Sequence, residues 1–403
     1  ADRVGRKRVF IAGLLTFSGA SALCAVAPSV PVLVGARIVQ ATGGAMMLPA
    51  TLGLILPAFP PEKRAIAVGI WSAVGGVAAA LGPPIGGLLV ELSWHWIFIV
   101  NVPIGLLTAV VAARSLDEVR DPAAGVRPDV VGAIELALGI GLLTGAIVQG
   151  PDWGWGDPAI IAGFAGAAVL LTAFVRRSAR HPAPVIELPL LRVRDFSVGN
   201  AAALVFFAGF GAMLLSFVLL LTELWGYSVL GAGVALMPGP AMAALFAAPA
   251  GRIGGRIGQR PVVAAGGLAF AIGAIWALVF IEATPNYAGA VLPGFLIGGA
   301  GVGLVLGALP GAVTASLPPE RFATGTGVFG MARQLGAAIG VAILVALLAD
   351  PAPTELLDGL QRGWAFMLGT GVLVFALALA LRPVTFERPE AAPDSLAAQE
   401  SAA

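Results

Sequence analysis

Apolar residues run through this chain in long blocks, separated by short joints that carry its charges and many of its prolines. Blocks of about 20 predominantly apolar residues, the length that crosses roughly 30 Å of hydrocarbon, fall at 8–28, 31–57, 65–90, 95–114, 129–150, 157–175, 196–222, 230–250, 261–281, 287–315, 322–349 and 363–381. Each predicts a membrane-spanning α-helix, because in lipid every backbone N–H and C=O must be satisfied within its own segment. The expected fold class is therefore all-α, a polytopic membrane helix bundle with twelve spans present. Residues 383–403, rich in Ala, Pro and Glu, are expected to form a disordered cytoplasmic tail.

Composition removes the soluble alternative. The 403 residues are 58% hydrophobic and 11% charged, whereas soluble domains average roughly 45–50% apolar and about 25% charged. The 55 Gly and 30 Pro lie within apolar runs, where small residues let membrane helices approach closely and Pro bends them. Cys24 is the single cysteine, and His95 and His181 are far apart, so metal and thiol chemistry are not expected. Neither Lys7 nor Lys63 follows a G-x-x-x-x-G loop, which excludes ATP hydrolysis by a Walker A site. No cofactor is expected, and a net charge of +1 gives no reason to expect nucleic acid. The expected environment is a lipid bilayer.

The placement of the basic residues orients the chain. Alternate joints, beginning with the one that holds Arg3, Arg6, Lys7 and Arg8, contain 20 of the 23 Lys and Arg, and the opposite joints contain only Arg362. Basic residues are retained on the cytoplasmic side. Both termini of the chain are therefore expected to be cytoplasmic, in a multi-pass protein of the cell membrane. The outer joints are short; PDWGWGD (151–157) offers Trp153 and Trp155 as interfacial aromatics. The remaining two arginines, Arg37 and Arg333, fall inside spans.

The chain also repeats itself. DRVGRKRVFIAG (2–13) aligns with GRIGQRPVVAAG (255–266), pairing Arg3 with Arg256, Gly5 with Gly258, Val9 with Val262 and Gly13 with Gly266. PPEKRAIAVGIW (60–71) then aligns with PPERFATGTGVF (318–329). Two halves of one topology follow: 1–114 as the first half-bundle, 115–194 as two intervening helices with basic loops, and 195–382 as a six-helix second half-bundle. The second half has two spans before its basic turn, and the first begins on that turn without an initiating Met. The expected whole is a fourteen-span chain of which two spans, roughly 55–60 residues, precede residue 1. The alternative is a complete twelve-span protein whose repeat is out of register.

Buried charge marks candidate sites, since an intramembrane guanidinium is costly and is usually functional. Arg37 lies roughly 9 Å into its span at about 1.5 Å per residue, with Gln40 on the same face. Arg333, followed by Gln334, lies about 16 Å in, near the midplane, and is expected to line a central cavity. Glu135 and Glu223 are the nearest candidate carboxylates by depth. Gly75, Ala79 and Pro83, with the pairs Gly82/Gly86 and Gly76/Ala80, repeat at i and i+4 and predict a flat helix face that Pro83 and Pro84 can bend. GTGVFG (325–330) matches a dinucleotide fingerprint literally, but no strand precedes it and a membrane span follows.

Several of these stretches carry a resemblance. ADRVGRKR (1–8) resembles the end of the G-x-L-a-D-r-x-G-r-k loop of the major facilitator superfamily, and ARIVQATGGA (36–45) its R-x-x-Q-G motif, with Ala41 at the usual first Gly. GVAAALGPPIGG (76–87) resembles the antiporter motif, and WHWIFIVNVPIG (94–105) the W-R-W-I-F-x-I-N-x-P-x-G signature of the 14-span drug:proton antiporter branch, with His95 replacing the common Arg. LLLTELWGYSVLGAGVALMPG (219–239) and ARQLGAAIGVAIL (332–344) are also similar to that branch.

The resemblance implies a major-facilitator bundle. It also implies a cytoplasmic gate latch at Asp2, Arg3, Gly5, Arg6 and Lys7, with Arg256 and Gly258 as the second-half counterpart, and a hinge at Gly75, Gly76, Gly82, Pro83, Gly86 and Gly87. It places Arg37 beside a proton pathway, where a permanently charged group tunes a neighbouring carboxylate, and it makes a carboxylate of the first span a candidate partner for Arg333. The expected activity is proton-driven export of small amphiphilic or lipophilic compounds by a monomer that alternates access across the membrane. Alternatives are dedicated export of one metabolite, siderophore or lipid, or a membrane receptor or channel. An enzyme is not expected.

Overall fold

The computed structural model describes residues 4–60, 63–119, 129–318, 321–348 and 356–382. The helices are α1 (Arg6–Ala25), α2 (Val30–Ala58), α3 (Arg64–Leu92), α4 (Trp96–Ile99), α5 (Asn101–Ser115), α6 (Val130–Trp153) and α7 (Pro158–Ser178). They continue as α8 (Arg194–Leu219), α9 (Val229–Leu236), α10 (Pro238–Ile257), α11 (Gln259–Phe280), α12 (Leu292–Thr314), α13 (Phe322–Leu348) and α14 (Leu356–Ala380). A π-turn at Leu220–Leu224 extends α8, and another at Tyr287–Val291 leads into α12. Among the described residues eleven rods are long and apolar enough to cross a membrane, and α3, at 29 residues, is a further long helix. The molecule is a polytopic helical membrane bundle whose rods fall on the twelve apolar blocks.

The joints are built by local chemistry. Asp129, Asp157 and Ser228 cap α6, α7 and α9, accepting from the N–H groups of Gly132, Ala159 and Gly231 at 2.9, 2.7 and 3.0 Å. Pro158 at the first position of α7 loses no helical hydrogen bond. Several helices run past their apolar blocks. Hydropathy starts the last span at 363, yet α14 begins at Leu356, because its first turns carry the polar Asp358, Gln361 and Arg362 while remaining helical. Likewise α10 continues to Ile257 through Arg252 and Arg256.

Glycine determines how the rods pack. A Cβ on Gly43 of α2 would stand 2.8 Å from the Gly13 carbonyl oxygen of α1, and a Cβ on Gly301 of α12 2.7 Å from that of Gly266 on α11. These pairs occupy equivalent places in the sequence repeat, so the same backbone crossing is built twice. Gly5 and Gly258, aligned in the repeat, both have positive φ (116° and 93°) and sit at the N-termini of α1 and α11. That conformation is open to Gly and strained for residues with a Cβ. The next residues match as well: the Arg6 side chain lies against Gly53 of α2, and that of Gln259 against Gly311 of α12.

The continuous core belongs to α8–α14, where Phe196, Phe206, Phe270, Leu309, Leu344, Leu360 and Trp364 are fully buried. Gly299, Gly303 and Gly307, spaced every fourth residue, hold α12 against the backbone of α10. The first half is more open: of the largest fully buried side chains among the described residues, only Gln40 lies in α1–α5. α1 packs on α2 and α5, and α3 lies chiefly against α9. The α6–α7 hairpin docks on α13.

Candidate functional site

Arg37 lies about 10 Å along α2, and its guanidinium Nη1 donates to Gln40 Oε1 at 2.5 Å. Gln40 Nε2 in turn donates to Ser21 Oγ of α1 at 2.7 Å, and the Ser21 hydroxyl donates to the Phe17 carbonyl at 2.7 Å. Gln40 and Ser21 are buried, at 2% and 0% exposure. The guanidinium also lies 5.7 Å from the ring centroid of Phe98 on α4, within cation–π range. Arg333 of α13 has the same kind of neighbour, its guanidinium being 5.9 Å from the Phe207 ring of α8. Gln334 follows it, exposed. Both arginines thus stand on aromatic faces.

The two expected carboxylates are placed elsewhere. Glu135 lies near the start of α6, with one carboxylate oxygen buried and without a hydrogen-bond partner. Glu223 lies in the π-turn after α8, exposed, and accepts from Thr222 Oγ1 at 3.3 Å. Among the described residues neither makes an ion pair with Arg37 or Arg333.

At the end of the bundle that carries the basic joints, Asp2 and Arg3 lie outside the described residues. Arg6 donates to the Gly53 carbonyl at 2.8 Å, and Lys7 Nζ donates to the carbonyls of Ala113 and Leu116, both at 2.7 Å. Among the described residues Glu118 supplies a carboxylate there, which accepts from the Lys7 backbone N–H at 3.1 Å and lies 3.7 Å from Arg8. It occupies the positive end of α1. Arg256 lies in the last turn of α10, and Gly258 caps it. Glu118 was detectable in sequence only as half of an acidic pair, Asp117–Glu118, beside basic loops.

At the opposite end, α3 and α9 meet almost backbone to backbone. A Cβ on Gly233 would stand 2.5 Å from the Pro83 carbonyl oxygen, and one on Gly87 2.8 Å from that of Val229. Gly75, Gly82 and Gly86 face open space, and Gly76 lies in the same helix. The tight face of α3 is therefore formed by Pro83, Pro84 and Gly87. Leu230 N–H of α9 donates to Glu91 Oε1 of α3 at 3.3 Å across the same seam. Sequence reading did not single out Glu91.

A further ion pair ties α6 to α7: Arg177 Nε donates to Asp129 Oδ1 at 2.5 Å. Burial acts to raise the Asp129 pKa, but the Arg177 and Gly132 hydrogen bonds and the charges of Arg177 and His181 outweigh it and hold the carboxyl below its ordinary value. Among the described residues no three His, Cys, Asp or Glu side chains gather as a metal site would require. This arrangement can hold permanent positive charge at two membrane depths and close one end of a seam between two helical halves.

Comparison with known proteins follows the same lines. The family model for the Major Facilitator Superfamily matches residues 1–340 and, in an overlapping second match, 201–402. The chain is 35% identical over 387 residues to the "Probable actinorhodin transporter" of Streptomyces coelicolor, covering 92% of this chain and 66% of that protein. It is 33% identical to the "Multidrug resistance protein Stp" of Mycobacterium tuberculosis, with coverage of 90% and 67%. It is 31% identical to the "Tetracenomycin C resistance and export protein" of Streptomyces glaucescens, with coverage of 87% and 65%. The chain thus spans about two thirds of the length of these curated relatives. Among solved structures, a POT family transporter in complex with a thioalcohol-conjugated peptide shares the fold, with TM-score 0.64 at 15% identity, covering 94% of this chain and 81% of that one.

Proposed function

The chain belongs to the major facilitator superfamily, and from that premise we propose that it works in proton-driven export of small amphiphilic or lipophilic compounds, as an antiporter of the cytoplasmic membrane. The observation that carries the reading is the 31–35% identity, over 87–92% of the chain, to proteins named for antibiotic transport, export or drug resistance.

The geometry fits that work. Two halves built on one repeat can rock about the α3–α9 seam, which closes the end opposite the basic joints. With those joints in the cytoplasm, the closed end faces outward. Arg37 and Arg333 keep their charge throughout the cycle, so their task is to stabilise a carboxylate when it is ionised and to release that hold when it is protonated.

A second reading, dedicated export of one secreted metabolite, is favoured by the two relatives named for actinorhodin and tetracenomycin C. The test is ethidium efflux from cells expressing the complete gene product that carries this chain. Efflux that stops when a protonophore collapses the gradient supports antiport, and efflux indifferent to the gradient overturns it. Export of a single compound with no dye efflux selects the second reading.

A further inference from the structure

The hydrogen bonds around Arg37 have a fixed direction. The Ser21 hydroxyl gives its proton to the Phe17 carbonyl, so its oxygen is left to accept, and it accepts from Gln40 Nε2. That contact decides which way the Gln40 amide faces. Its carbonyl oxygen must point to Arg37, as it does; the flipped amide would set an N–H donor against a guanidinium that can only donate. On its other side the guanidinium has the Phe98 ring. Two helices, α1 and α4, thus brace a charge that α2 carries.

The second half supplies a control. Carried across the repeat, Ser21, Arg37 and Gln40 correspond to Ala274, Phe295 and Gly298. There the same helix crossing, held by Gly266 and Gly301, has no polar side chain at the three equivalent positions, and Ala274 is buried just as Ser21 is. The crossing therefore does not need the polar chain in order to form. A buried polar network that the scaffold can do without is retained for what it holds.

We propose that Ser21 and Gln40 are positioning residues that fix the Arg37 guanidinium at one place in the membrane, and that this tether sets the pH dependence of transport. The second part rests on the reading of the protein as a proton-driven exporter. Arg37 is exposed while its tether is buried, so its reactivity reports the tether independently of transport. In membrane vesicles carrying the complete gene product, phenylglyoxal modification of Arg37 is followed by peptide mass spectrometry, alongside the pH profile of gradient-driven dye efflux.

Ser21→Ala installs the residue found at the equivalent place in the second half, so it is expected to fold. It and Gln40→Leu should raise the modification rate about fivefold, the scale of one lost hydrogen bond, and displace the pH profile. An unchanged modification rate overturns the tether. A raised rate with an unmoved pH profile overturns its role in coupling. If efflux by the unaltered protein ignores the gradient, the exporter reading fails, and the modification rate still decides whether Ser21 and Gln40 position Arg37.

Discussion

Where α1 crosses α2, Gly13 and Gly43 bring two backbones together, and where α11 crosses α12, Gly266 and Gly301 do the same. Close to the first crossing lie Ser21, Arg37 and Gln40; close to the second lie Ala274, Phe295 and Gly298. In α13 the order is reversed, with Arg333 and Gln334 standing where α3 has Gly75 and Gly76. Each half therefore carries one intramembrane arginine, at places the repeat does not equate. The glycines are what the fold holds in common, and the arginines are where the halves diverge.

The comparison can be broken first at the shared element. Gly301→Leu forces a side chain into space where even a Cβ meets the Phe270 nitrogen at 2.6 Å. It should destabilise the bundle by about 3 kcal/mol or more, seen as loss of monodisperse protein in detergent. Gly43→Leu should do the same by the same contact with Phe17. If either tolerated leucine with an unchanged unfolding midpoint, the shared crossing would not be structural.

Next come the divergent residues. Arg37→Ala and Arg333→Ala should each reduce gradient-driven efflux by about tenfold or more while leaving the unfolding midpoint within a few degrees. Transport retained in both variants would remove the functional half of the comparison.

A smaller effect is expected at the α6–α7 hairpin. The Asp129 carboxyl is held below its ordinary pKa. The stability it supplies is present above the unfolded value of about 4 and is lost as pH falls through the lower folded value. The hydrogen-exchange protection factors of α6 and α7 amides should fall in acid, and Asp129→Asn should abolish that fall. The smallest effect is expected at the seam hydrogen bond: Glu91→Gln should change efflux by about twofold or less.

Much of this was legible in the chain. Apolar blocks located the rods because a membrane helix must be apolar over its whole length, and the repeat was visible because Gly5 and Gly258 share a conformation that other residues strain to adopt. The ends were less legible, since α14 and α10 continue through polar turns that hydropathy excludes. The face of α3 that meets α9 was less legible for a different reason. Small residues lie on several sides of that helix, and only its partner α9 selects Pro83, Pro84 and Gly87. Glu118, Glu91, Ser21 and the Asp129–Arg177 pair left no periodic trace, because each depends on a single contact between residues distant in sequence.

The central claim is that the fold comes from the glycine crossings and the proposed proton coupling from the polar groups added to one of them. The direct test is the triple variant Ser21→Ala, Arg37→Phe, Gln40→Gly, which gives the first crossing the residues of the second. Efflux per unit of folded protein is measured with and without a proton gradient. The account predicts a folded protein in which the gradient no longer drives efflux. Gradient-driven efflux at the unaltered level would contradict it.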